Sequence, residues 1–312
     1  MKHSKIKNSI LETIGNTPLV ELGRIGRHVK ARLCAKMERF NPMGSVKDRP
    51  ALAMVESAEK AGILREGMTI VEATSGNTGL GLAMAAAVKG YSIKFLMDEE
   101  FDASPSFIKI AEIFGAEIEL HKSFDEAVQQ SLRLAEENGT GEYFVPQQFK
   151  NPENPNAHYE TTAEEIIEAT DGRLKAFVGS FGSGGTISGV GKRLKEYDPD
   201  IQIVLVEPDS VPIISRKGPI GCSYIHGIGP NFKPDTLYEE YIDEQVQVTP
   251  DEANAFVLRL AREEGIFAGQ SCGAIGVKAL EIAERYHEGD IIVCVFPDLG
   301  DRYLDDNPNA KS

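Results

Sequence analysis

The sequence predicts an α/β fold of two domains, each a mostly parallel sheet flanked by helices, and three observations carry that expectation. Short runs with Ile and Val on consecutive positions alternate with longer helix-period segments through most of the chain, the pattern of strands covered on both faces by helices. Glycine- and hydroxyl-rich loops stand where such a run gives way to a helical segment, around Thr74–Gly79 and Gly182–Thr186. The 312 residues, 41% of them hydrophobic, are enough for two cores at roughly 100–200 residues per domain.

In chain order, strands are expected over Thr69–Glu72, Ile93–Met97, Glu117–Leu120, Ala176–Val178, Ile201–Val206 and Ile291–Phe296. Helices are expected over Ala51–Ala61, Leu80–Lys89, Ser106–Phe114, Phe124–Glu137, Thr161–Ala169, Ile187–Lys195, Pro250–Glu264 and Ala274–Tyr286. The stretch Asn151-Pro152-Glu153-Asn154-Pro155-Asn156 reads equally as a crossing between domains and as a surface turn. No internal repeat or low-complexity tract is present.

A formal net charge of −15 argues against a nucleic-acid binder, because neutralising phosphates needs clustered Lys and Arg. Lys192, Arg193 and Lys195 read as a helix face meeting water. Met1 to Asn16 lacks the unbroken apolar stretch of a signal peptide. No segment approaches the length of about 20 apolar residues that spans a bilayer, so no membrane association and a cytoplasmic location are expected. Cys34, Cys222, Cys272 and Cys294 are widely spaced, and the six His include no His-Glu-x-x-His, so reduced thiols and no metal site are expected.

Three loops carry the chemistry. Asn41 to Pro50 precedes a helix, and Pro50 suits a first turn because its missing N–H costs nothing there. A lysine at such a helix start, here Lys47, sits in the field of unpaired N–H groups, which disfavours the ammonium and favours a nucleophilic amine. Read alone, it is an ordinary surface residue. In Thr74-Ser75-Gly76-Asn77-Thr78-Gly79 the glycines allow a tight turn, and the hydroxyls add donors to those of the helix start, a nest for a carboxylate or simply a helix cap. Gly182-Ser183-Gly184-Gly185-Thr186 lets the backbone approach an anion at another helix start, so phosphate is its natural ligand. It is neither a Walker loop nor a dinucleotide fingerprint, since Thr186 and Arg193 break the first pattern and Ile187 the second. A reactive amine, a carboxylate nest and a phosphate nest together point to an amino acid reacting on pyridoxal 5′-phosphate.

At these residues the sequence resembles the fold-type II pyridoxal-phosphate enzymes (tryptophan synthase β-like), and within them the cysteine synthase, or O-acetylserine sulfhydrylase, group. The resemblance runs from Thr13–Val20 through Asn41–Arg49, Thr74–Gly79, Gln147-Gln148-Phe149, Gly182–Thr186, Gly227-Ile228-Gly229 and Gly265–Gly273 to Pro297–Leu304. It implies a smaller domain of residues 1–12 and 35–148 and a larger, phosphate-binding domain of residues 13–34 and 149–312, with the active site where the domains meet, in a homodimer. It also implies that Lys47 carries the cofactor and moves protons, and that Asn77 bonds the cofactor's 3′-oxygen. By the same resemblance Gly182, Ser183, Gly184, Gly185 and Thr186 cradle the phosphate. Thr74, Ser75, Thr78 and Gln148 clasp the substrate α-carboxylate, and Gly227 and Gly229 lie near its amino group. The implied reaction removes the β-substituent of an activated serine, O-acetylserine or O-phosphoserine, and adds sulfide at Cβ.

Two stretches depart from that pattern. Where cysteine synthases usually place a serine facing the pyridine nitrogen, this chain has Asp298. A carboxylate there favours a protonated ring and a deeper electron sink, unless it turns away to pair with Arg302. The segment Asp98–Lys109 and the run Gly300–Asp305 look more like relatives that accept O-phosphoserine, 2,3-diaminopropionate synthases among them. His226 stands where a Gln is frequent, as a substrate contact or as packing, and Cys272 reads as a small buried residue rather than a catalytic thiol. The alternatives to cysteine synthesis are 2,3-diaminopropionate synthesis, cysteine desulfhydration, cystathionine- or lanthionine-type chemistry, and a non-catalytic relative that serves as a binding or regulatory partner, for instance by receiving the C-terminal tail of another protein.

Overall fold

The structure, a computed structural model, describes residues 6–74, 76–99, 105–136, 141–216, 221 and 225–304. The strands are β1 (Leu19–Glu21), β2 (Arg32–Met37), β3 (Thr69–Ala73), β4 (Ser92–Asp98), β5 (Glu117–His121), β6 (Tyr143–Phe144), β7 (Leu174–Ser180), β8 (Gln202–Pro208), β9 (Glu244–Val248) and β10 (Ile291–Phe296). The α-helices are α1 (Asp48–Lys60), α2 (Asn77–Lys89), α3 (Pro105–Ile113), α4 (Phe124–Glu136), α5 (Glu153–Ala157), α6 (Ala163–Ala169), α7 (Gly185–Tyr197), α8 (Pro250–Arg259) and α9 (Gln270–Ala283). The chain divides into two compact units, Met1–Asn16 with Asn41–Gln147, and Thr17–Phe40 with Gln148–Ser312.

The first unit holds a four-stranded parallel sheet in the order β5-β4-β3-β6. Its β3 is buried from Ile70 to Ala73, and the alanine-rich α2 is buried from Thr78 to Ala86, as a helix pressed on a sheet must be. The second unit holds six strands in the order β1-β2-β10-β7-β8-β9, parallel except for the antiparallel β1–β2 pair. Central β10, Ile-Ile-Val-Cys-Val-Phe, is buried throughout between β2 and β7. A capping box of Thr249 and Glu252, with Pro250 in the first turn, starts α8.

Each expected strand is present, and four more join them. Strand β2 was hidden by its charges: Lys36, 1% exposed, sits in the core because its ammonium bonds the Thr17 carbonyl and the Glu165 carboxylate, both at 2.5 Å. Pairing of β2 with β10 through Met37 keeps residues up to Phe40 in the second unit. A boundary between residues 34 and 35 would have cut that strand, and the later junction falls after Gln147 rather than after Gln148. Helix α9 begins four residues before the expected Ala274, with Gly273 in the added turn and Gly276 one turn on. A Cβ on Gly273 would stand 2.1 Å from the Ala253 carbonyl oxygen, so these glycines set the close approach of α8.

The Asn151–Asn156 stretch is neither a crossing nor a surface turn. It forms the start of α5, with Asn154 and Pro155 buried inside the second unit. Lys192, Arg193 and Lys195 are half-buried on α7, where Arg193 pairs with Glu164, Lys195 pairs with Asp243, and Lys192 lies over the Tyr159 ring. Cys34, Cys272 and Cys294 are free and buried, while Cys222 lies outside the described residues. Among the described residues no helix is long and apolar enough to cross a membrane, and no group of three His, Cys, Asp or Glu is arranged to hold a metal ion.

Candidate active site

In the first unit the lysine loop and the carboxylate nest share one end of the sheet. Lys47 is the residue just before α1, half-buried, with its N–H donating to Ser45 Oγ at 3.2 Å. The loop behind it is pinned from within. Asp48 accepts from the Met43 N–H at 2.6 Å and from Ser45 Oγ at 3.4 Å, and Asn41 Nδ2 donates to the Ser45 carbonyl at 3.1 Å. Thr74 follows β3 and is buried with its Oγ1 accepting from the Gly76 N–H at 3.3 Å. Asn77 opens α2, and Thr78 is buried in its first turn. One turn on, a Cβ at Gly81 would lie 3.1 Å from the Lys47 carbonyl oxygen and 2.9 Å from Ala51 Cβ. That close approach sets the start of α2 directly against the start of α1. Ser75 lies outside the described residues.

In the second unit β7 ends at Ser180, and the next loop runs into α7. Three glycines there have no room for a side chain. Gly184, at φ +86°, turns left-handed against the Leu237 backbone; a Cβ on Gly182 would meet the Gly227 carbonyl at 2.7 Å, and one on Gly185 would meet Asn154 Oδ1 at 1.9 Å. Two braces hold the loop. Asn154, 2% exposed, donates through Nδ2 to the Gln148 carbonyl at 2.7 Å and to Ser183 Oγ at 2.8 Å. His158, in the wider turn His158–Thr162 after α5, touches Thr162 Oγ1 at 2.8 Å through Nδ1 and Thr186 Oγ1 at 3.2 Å through Nε2. Gln148 is buried beside the first brace, and the Gly229 N–H donates to the Phe181 carbonyl at 2.9 Å, which ties the Gly227–Gly229 turn to the loop.

Asp298 follows β10 and is buried, with Oδ2 accepting from the Tyr303 hydroxyl at 2.6 Å. Cys272 Sγ lies 3.5 Å from the Asp298 carbonyl oxygen. Burial, and then the charge of Asp298, raise the Cys272 thiol well above its ordinary value, so it stays protonated and packs rather than attacks. His226 is exposed; its ring lies 5.4 Å from that of Tyr303, and its N–H donates to Gln270 Oε1 at 3.1 Å.

Sequence reasoning missed the braces Asn154 and His158 and the partner Tyr303. The Asn-Pro run around Asn154 was the available signal, and its prolines read as a linker instead.

In the six-stranded sheet the strand order reverses at β7, with β8 on one side and β10 on the other. Open parallel sheets bind ligands at the strand ends beside such a reversal. The first turn of α7 has N–H groups with no intrahelical carbonyl to bond. With Ser183 and Thr186, and no acidic side chain between Gly182 and Thr186, the donor set suits a phosphate. Lys47, half-buried just before α1, carries an amine of the kind that condenses with an aldehyde. These features fit pyridoxal phosphate and define a class, enzymes that hold a phosphate-bearing aldehyde through a lysine.

Residues 10–298 match the family described as pyridoxal-phosphate dependent enzymes. The chain belongs to that family: it is a pyridoxal-phosphate dependent enzyme of fold type II, and pyridoxal phosphate is its cofactor. It is 42% identical over 301 residues, 95% of each chain, to a cysteine synthase of Staphylococcus aureus. A crystal structure of cysteine synthase from Entamoeba histolytica superposes with a TM-score of 0.92 at 39% identity, covering 97% of this chain and 91% of that one. A hydrogen sulfide-producing enzyme from Fusobacterium nucleatum superposes with a TM-score of 0.90 at 38% identity, covering 97% of this chain and all of that one, 100%.

Proposed function

We propose that this enzyme makes cysteine by β-replacement, exchanging the β-substituent of an activated serine, O-acetylserine or O-phosphoserine, for sulfide. The observation that carries the reading is the packing of α2 on the start of α1 at Gly81, which brings the Lys47 backbone against the helix that the Thr74–Thr78 loop begins. An α-amino acid offers a carboxylate for the donors of that helix start and an amino group for the aldehyde that the lysine would hold. Similarity to cysteine synthases over 95% of the chain supports the choice of reaction.

Bound pyridoxal phosphate supplies an aldehyde for the amino group and a ring that accepts the electron pair left at Cα. In this reading Lys47 holds the cofactor, and its amine then takes the Cα proton and returns it at the end of the cycle. Thr74, Ser75, Thr78 and Gln148 bind the α-carboxylate through hydroxyl, amide and backbone donors. Asn77 donates to the 3′-oxygen, and the N–H groups and hydroxyls from Gly182 to Thr186 hold the phosphate. Gly227 keeps the backbone low beside the reacting amino group. Asp298 faces the pyridine nitrogen and holds a proton there by charge pairing. The enzyme acts as a cytoplasmic homodimer in this reading, and a regulatory protein that docks its C-terminal tail in the substrate cleft would compete with the amino acid.

The test is the visible absorbance of the purified protein, recorded alone and after O-acetylserine, O-phosphoserine or cysteine. The cofactor band is expected to shift with one donor, sulfide is expected to restore it with release of cysteine, and Lys47→Ala is expected to abolish both responses. A protein that takes up no pyridoxal phosphate would sink the reading. Likeness to the hydrogen sulfide-producing enzyme favours a second reading, elimination of sulfide from cysteine by the same residues. Sulfide release from cysteine alone, faster than synthesis from either donor, would select it; an amine preferred over sulfide as acceptor would select 2,3-diaminopropionate synthesis.

A further inference from the structure

We infer that Tyr303 is a positioning residue for the reaction: it fixes the plane of the Asp298 carboxylate that faces the cofactor's ring nitrogen. The inference rests on the proposed placement of Asp298 at that nitrogen.

Asp298 is 4% exposed and held from three sides. Its Oδ2 accepts the Tyr303 hydroxyl at 2.6 Å, within the range of a strong bond to a charged acceptor. Its Oδ1 lies against Gly269, where a Cβ would come within 2.2 Å, so any larger residue there would displace the carboxylate. Cys272 Sγ stands 3.9 Å from the same oxygen. The phenol meets the carboxylate with a strong donor at short range. Terminal rotation of an Asp side chain is otherwise broad and soft.

Tyr303 is itself held. It ends the tight turn Gly300–Tyr303, which brings it back onto a residue five positions earlier, and Gly300 sits where a Cβ would be 2.7 Å from the Ala268 carbonyl. The His226 ring covers the Tyr303 ring at 5.4 Å, and His226 is tied through Gln270 to Asn254, Gln270 Nε2 donating to Asn254 Oδ1 at 2.9 Å. This row, from Asn254 through Gln270, His226 and Tyr303, ends on the Asp298 carboxylate. A charged hydrogen bond weakens steeply as its angle opens, so a carboxylate released from Tyr303 would protonate the ring less completely. The Cα electron pair would then have a poorer sink.

The experiment loads the holoenzyme with pyridoxal phosphate carrying 15N in the ring and reads that nitrogen's chemical shift in the parent protein, Asp298→Ser and Tyr303→Phe. Expected are a protonated nitrogen in the parent, an unprotonated one in Asp298→Ser, and an intermediate shift in Tyr303→Phe. In the last variant kcat should fall about tenfold with KM within about twofold, as for an interaction that strengthens in the transition state. A merely structural role for Tyr303 would leave the shift untouched. If Asp298→Ser moves the shift and Tyr303→Phe does not, the inference falls and the placement of Asp298 stands. If neither moves it, the placement falls and takes the inference with it. Should Tyr303→Phe fail to hold cofactor, His226→Ala keeps the phenol but removes the ring packed against it. A smaller displacement in the same direction is then expected, and a parent-like shift would overturn the inference.

Discussion

Replacing Gly185 by Ala would strike the Gly182–Thr186 loop, the proposed phosphate cradle, through its brace rather than through a ligand. The new Cβ would lie 1.9 Å from Asn154 Oδ1 and 2.5 Å from its Cγ, whereas carbon and oxygen in contact need roughly 3.5 Å. The amide must retreat by more than an ångström, further than its bonds of 2.7 Å to the Gln148 carbonyl and 2.8 Å to Ser183 Oγ can stretch. Both bonds are buried, and losing each costs about 1–2 kcal/mol. The sum, about 3 kcal/mol, corresponds to roughly 150-fold weaker retention of pyridoxal phosphate if the distorted loop must be rebuilt on binding. Cofactor titration into the apoenzyme, with a thermal melt alongside, measures the loss. Asn154→Ala alone should cost a similar amount. The double variant should cost no more than either single change, because removing the amide makes room for the methyl. Additive losses, or a Gly185→Ala protein that keeps its cofactor within threefold of the parent, would refute the reasoning.

Two further outcomes follow from the same geometry. Gly81→Ala gains about 1 kcal/mol of helix propensity in an open position, but here its methyl meets Ala51 Cβ at 2.9 Å and the Lys47 carbonyl at 3.1 Å. Overpacking of about 1–3 kcal/mol should win, so the melting temperature and kcat are expected to drop together, and a more stable variant with parental turnover would contradict this. Burial, helped by the negative charge of Glu21 and opposed by Arg32, pushes the Cys34 thiol up from 9.0 to about 11. A thiol kept neutral by folding contributes stability that is complete below its unfolded pKa and fades as pH rises through about 11. Denaturant melts between neutral pH and that range should fall more steeply for the parent than for Cys34→Ala; equal slopes would remove Cys34 from the account.

What the sequence discloses here depends on whether the cause of a feature is local. Strand β10 was legible because a central strand of a covered sheet is apolar at every position, and its bounds coincide with the expected run. Strand β2 was not, since Lys36 reads as surface until Glu165, 129 residues away, neutralises it. The two candidate loops, Thr74–Gly79 and Gly182–Thr186, were legible for a local reason as well, glycine and hydroxyl residues at a strand-to-helix junction. Their supports are distant: Asn154 stands 29 residues from Ser183 in the chain, and only folding shows that its prolines start a buried helix instead of a linker. Helices α2 and α9 begin earlier than expected because their first turns contain glycine, which reads as loop but serves close packing.

Both units use one device, a loop that leaves the strand where the sheet order reverses and enters a helix start. In the smaller sheet the order reverses at β3, with β4 on one side and β6 on the other, and the Thr74–Asn77 loop leaves that strand for a helix start. In the larger sheet the reversal lies at β7, and the loop leaving it leads to another helix start. Each loop presents backbone donors at a helix start, a geometry that suits an anion and depends little on side-chain identity. Side chains at the remaining strand ends are therefore free to set the chemistry. Asp298, at the end of β10 beside the larger reversal, is such a position. With Asp298 at the ring nitrogen as proposed, a carboxylate in place of a neutral hydroxyl would alter how strongly the ring withdraws electrons and leave both loops unchanged. The substitution also demands a partner that holds the new charge in plane, and the hydroxyl of Tyr303, 2.6 Å away, meets that demand.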